Sequence, residues 1–159
     1  MRLLFPILAC VAGSLLIGGF VAGMVAPPAA HARLGMVAAA AALAVHGTGL
    51  AYLATSAGRV EATARSSGMP GWVGAQAEKN RRKAGVLGAW GVASIVGVAW
   101  SGMVGPGRGW HLALSASALT IQLGAFVGEF LMVVAQARLL LDVGAWAGRA
   151  SAGPLARDP

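Results

Sequence analysis

The chain is poor in charge: Asp, Glu, Lys and Arg make up 11% of its 159 residues, and only five of them are acidic. That scarcity excludes a disordered chain, which needs high charge and low hydrophobicity to stay solvated. Cysteine is nearly absent, with Cys10 alone inside an apolar run, so no disulfide framework holds the fold. Catalytic motifs are missing as well. There is no Walker loop, dinucleotide fingerprint or zinc-ligand spacing, and Ser115 and Ser117 near His111 have no carboxylate placed to orient that histidine as a base. What is present excludes a soluble enzyme: 57% hydrophobic residues, 24 glycines and a mean hydropathy of +0.72.

Four apolar segments, 3–25, 34–57, 85–104 and 112–137, contain no Lys or Arg. Each is near or above the ~20 residues that cross a ~30 Å hydrocarbon core. Pro27-Pro28, Ser56-Ala57-Gly58-Arg59 and Gly105-Pro106-Gly107 punctuate them. In lipid every backbone group must be satisfied internally, and the alternation of a barrel is absent. The expected fold is therefore an all-α integral membrane protein, four transmembrane helices in an up-down bundle. Residues 1–142 form the membrane domain, with a cytoplasmic loop over 58–84, and 143–159 a cytoplasmic tail.

A net charge of +7 would suggest nucleic acid as the partner of a soluble chain. Here it reads as topology, and no nucleic-acid partner is expected. With four spans, both termini and the 58–84 loop share a side that carries Arg2, Arg59, Arg65, Lys79, Arg81, Arg82, Lys83, Arg138, Arg149 and Arg157, against Arg33 and Arg108 opposite. The positive-inside rule places the ten in the cytoplasm, giving an N-in/C-in protein of the inner membrane; high Ala, Gly and Arg with few Lys suggests a bacterium. Ala30-His31-Ala32 imitates a signal-peptidase site, but the apolar run before it is too long for a leader, so the first segment is read as an uncleaved helix. Arg59, Arg65, Lys79, Arg81, Arg82 and Lys83 form a cytoplasmic basic surface suited to anionic lipid headgroups.

Helices in lipid pack through small residues. Gly19 and Gly23 form one GxxxG pair, Gly124 and Gly128 another; Gly49 shares a face with His46, and Gly91, Ser94, Gly97 and Ser101 make a stripe on the third segment. Ionisable groups at depth are costly and mark function by default. Two qualify, His46 and Glu129, and Glu129 belongs to a polar stripe with Ser115, Gln122 and Gln136 at intervals of seven. His31 and His111 lie at the opposite end from the basic surface, without Cys, Asp or Glu beside them, and no metal site is expected from so small a set.

Three functions fit these residues. The foremost is a non-catalytic membrane subunit that packs with other membrane subunits or with itself, needing no cofactor. The alternative is a small homo-oligomeric proton, ion or solute transporter built on the Glu129 stripe. The third is a redox anchor holding haem or quinone through His46, for which a second histidine at the same depth is missing.

Overall fold

The computed structural model describes residues 1, 3–104 and 107–151. They form four helices: α1 (Leu4–Val25), α2 (Pro28–Ser66), α3 (Trp72–Val104) and α4 (Arg108–Ser151). All four are long and apolar enough to cross a membrane. Arg2, the Gly105-Pro106 part of the third turn, and residues 152–159 with Arg157 lie outside the described residues.

The breaks follow local chemistry. Pro28 takes the first position of α2, where a missing N–H costs nothing and the fixed φ is already helical. The corner between α2 and α3 is a Schellman turn. Gly68 adopts φ +63°, its N–H reaches Arg65 O, and Met69 N–H reaches Ala64 O at 2.9 Å. Pro70 then prevents any continuation. At the other end Arg108 caps α1, donating from Nη2 to Met24 O at 2.5 Å and Gly23 O at 3.3 Å.

The stretch 58–84, expected between spans, is helical up to Ser66 and again from Trp72, and α4 continues through 143–151 of the expected tail. Charge marked the membrane boundary there but does not end a helix. Ala, Arg, Glu and Lys are good helix formers, and Glu61–Arg65 and Glu78–Arg81 pair along their helices. These extensions also bury a second core, in which Val60, Val73, Ala77 and Val143 pack with Met69 and Leu139.

Successive helices pack on one another; α4 also touches α1 and α2, while α1 and α3 do not touch among the described residues. The main core holds Phe5, Val45, Leu53, Phe126 and Val133. The outside carries many exposed large apolar residues, among them Ile7, Val96, Trp100, Val127 and Leu131. An exterior of that kind suits hydrocarbon rather than water, consistent with a multi-pass membrane protein.

Candidate functional site

Three of the polar residues expected at depth come together. His46 on α2 is bonded on both ring nitrogens, Nδ1 to Glu129 Oε1 at 2.8 Å and Nε2 to Gln122 Oε1 at 2.9 Å. Gln122 Nε2 in turn donates to Gly91 O at 2.7 Å, an acceptor only, which fixes the amide with its oxygen toward the imidazole. His46 Nε2 therefore carries a hydrogen. One further proton lies between Nδ1 and the carboxylate, giving either an imidazolium–carboxylate pair or a neutral imidazole beside a carboxylic acid. All three side chains are at most 2% exposed.

Glycine makes the room. A Cβ at Gly91 would overlap the His46 ring, and one at Gly88 would stand 3.0 Å from Glu129 Oε1. Gly49 does the same for Phe5, whose Cε2 would lie 2.8 Å from an added Cβ, and Glu129 Oε2 faces the same spot. Phe126 packs on the imidazole with ring centres 5.2 Å apart. Glu129 Oε2 is buried with no hydrogen-bond partner among the described residues. A bare carboxylate oxygen in a dry core is costly, so this side of the pair is the natural place for a proton or a water.

Gln136, the fourth member of the expected set, stands apart from the trio. Asn80 Nδ2 donates to its Oε1 at 3.2 Å, and Gln76 Nε2 donates to Asn80 Oδ1 at 3.1 Å. Asn80 and Gly88 were not singled out from sequence. The signal existed: residues 77, 80, 84, 88 and 91, all buried, fall at the three- and four-residue spacings of one helix face. Gln136 Nε2 is likewise buried without a partner among the described residues. Between Glu129 and Gln136 on the same face lies Val133, fully buried in the core with Leu53 and Ala84.

The pair sits close to the basic end of the bundle. Gly88 abuts both Glu129 and His46, and Lys83 precedes it by five residues, about 7.5 Å along α3. The Gln136–Asn80–Gln76 group accordingly lies level with Lys79, Arg81, Arg82 and Lys83. Those four, with Arg59 and Arg65, are all exposed. Arg81 holds Glu78 by two bonds of 2.6 and 2.7 Å, and this contact keeps the Glu78 carboxyl below its usual range.

On the other side of the pair, a partly open cavity of about 850 Å³ occupies the space where α1 and α3 stand apart. Gln122 lines it, as do Ser115 and Ser101, and His31, Arg108 and His111 lie toward the helix ends. Among the expected packing glycines, Gly19 meets Gly35, Gly23 meets the His31 ring and Gly128 meets Leu87, whereas Gly124 has nothing within 4 Å. His46 does not fit the role of a haem ligand in this arrangement, because neither ring nitrogen is free. No protein-family model, curated protein or solved structure matches the chain.

Proposed function

We propose that this protein is a proton-conducting membrane protein in which the His46–Glu129 pair is the carrier site. The observation that carries the reading is one line of polar groups on α4, Ser115, Gln122, Glu129 and Gln136. From Ser115 to Gln136 it rises through 21 residue steps, about 32 Å, close to the thickness of a hydrocarbon core. Its first half borders the cavity and its last member lies level with the basic cluster. Only one helical turn, that of Val133, separates the pair from the polar groups beyond. A static pin between helices needs one hydrogen bond at one depth and gains nothing from a line that long.

In this reading the chain belongs to a bacterial inner membrane, as an up-down bundle with both termini in the cytoplasm. The up-down course is supported by contacts that run in opposite sequence order: Gly49 with Phe5 and Gly23 with His31, then Gly91 with His46 and Gly74 with Glu61. The orientation rests on the basic surface. Protons enter from the cavity, are taken up at the pair, and leave through Gln136, Asn80 and Gln76 when water crosses the Val133 turn.

The test is proton flux into vesicles holding the purified chain, driven by a potassium diffusion potential and read with an internal pH dye. Wild type should exceed empty vesicles clearly, and Glu129→Gln should lower the flux at least tenfold. Wild-type flux equal to that of empty vesicles refutes the reading.

A second reading, a subunit of a larger membrane assembly, is favoured by glycines that face outward with nothing within 4 Å, notably Gly47, Gly97 and Gly124. A helical glycine that packs on nothing costs about 1 kcal/mol against alanine, and in lipid small residues mark where another helix approaches. The mass of the particle extracted in mild detergent from native membranes checks it. A particle holding other chains supports the subunit; one holding this chain alone removes the hetero-complex.

A further inference from the structure

His31 and His111, from the first turns of α2 and α4, meet across the mouth of the cavity with ring centres 5.8 Å apart and planes at 78°. Each is held by Nδ1. His31 Nδ1 lies 3.1 Å from Gly19 O, which can only accept, so this nitrogen carries the hydrogen. His111 Nδ1 lies 2.9 Å from Ser101 Oγ. That hydroxyl spends its own hydrogen on Val98 O at 2.8 Å, so it too accepts from the ring. In the neutral form each imidazole is thereby the tautomer that leaves Nε2 as a bare lone pair, and among the described residues neither Nε2 has a hydrogen-bond partner.

Fixing Nδ1–H on a carbonyl or hydroxyl is how proteins orient histidines that bind a metal through Nε2. The spacing agrees. An ion ~2.0–2.1 Å from each Nε2 lies about 3.2 Å from each ring centre, so rings sharing it have centres roughly 5–6.5 Å apart. Room has been left beside each ring by a glycine: a Cβ would stand 3.0 Å from the His31 ring at Gly23 and 3.2 Å from the His111 ring at Gly102. Arg108, which also lines the cavity, uses its Nη2 on the end of α1.

From this we infer that His31 and His111 bind one transition-metal ion of the imidazole-preferring kind, with copper(II) the tightest binder in the general order of affinities. Two protein nitrogens leave positions open toward the cavity for water or a small ligand. The site is independent of the His46–Glu129 pair.

The test uses the full chain in detergent, without a polyhistidine tag, loaded with Cu(II) alone and desalted. Wild type and Glu129→Gln should each retain one copper per chain, and electron paramagnetic resonance of the wild type should show coupling to two imidazole nitrogens. His31→Ala and His111→Ala should each bind at least tenfold more weakly, and the pair together should retain none. Ser101→Ala, which keeps both ligands but frees the His111 ring, should weaken binding by roughly 10–100-fold. A wild type that retains no copper, a spectrum without two imidazole nitrogens, or a folded double variant that retains as much as wild type overturns the assignment.

Discussion

Around His46 the side chains and the glycines beside them are one design. The imidazole fits because Gly91 has no Cβ, and the Glu129 carboxylate fits because Gly88 has none. Gly91→Ala should therefore behave as overpacking, costing about 1–3 kcal/mol. Gly97→Ala, on the same helix with nothing within 4 Å, should be neutral or stabilise by up to about 1 kcal/mol. Thermal unfolding in one detergent compares them, and a Gly91 variant as stable as the Gly97 variant contradicts the packing described. The pairing of His46 with Glu129 was only half legible in sequence. Cost in lipid singled out both residues, and the seven-residue interval tied Glu129 to Gln122 and Gln136. Their meeting depends on the rotation of α2 against α4, which a background of Gly and Ala leaves open. Gln136 parted from the others because Asn80 was available at its own level. Its signal was hidden among charged neighbours.

The four helices were legible because hydrocarbon leaves the backbone no other option, but their ends were not. The apolar runs 34–57 and 85–104 are bounded by charge at Arg59 and Lys83, whereas α2 and α3 run past those residues to a turn that stops them. Gly68 is such a stop. Its left-handed conformation completes the Schellman turn and brings Met69 onto the second core. Gly68→Ala places a Cβ in that conformation, at an expected cost of about 1–2 kcal/mol. The same thermal unfolding measures it. An unchanged midpoint would mean that the corner, and the three-helix extension it joins, contributes nothing to the fold. The extension matters to function because it carries Asn80, Gln76 and most of the basic surface on rigid helix.

Across the whole molecule, polarity is arranged along the bundle axis. One end opens as a cavity bordered by two histidines, the middle is closed by hydrogen-bonded side chains, and the other end is a basic extension with a small core of its own. Apolar surface surrounds the middle. A buried pair that merely locked helices together would be indifferent to both ends; a pair that carries protons must communicate with at least one. Glu129 Oε2, buried and without a partner among the described residues, is where the two accounts differ. Infrared difference spectroscopy of the reconstituted protein, stepped between acid and alkaline pH in water and in deuterium oxide, reads the Glu129 carboxyl directly. The relay account predicts a carboxyl band that appears and disappears with pH, shifts in deuterium oxide, and is absent from Glu129→Gln. A Glu129 signal that neither titrates nor exchanges would contradict it, and would leave the pair a structural pin.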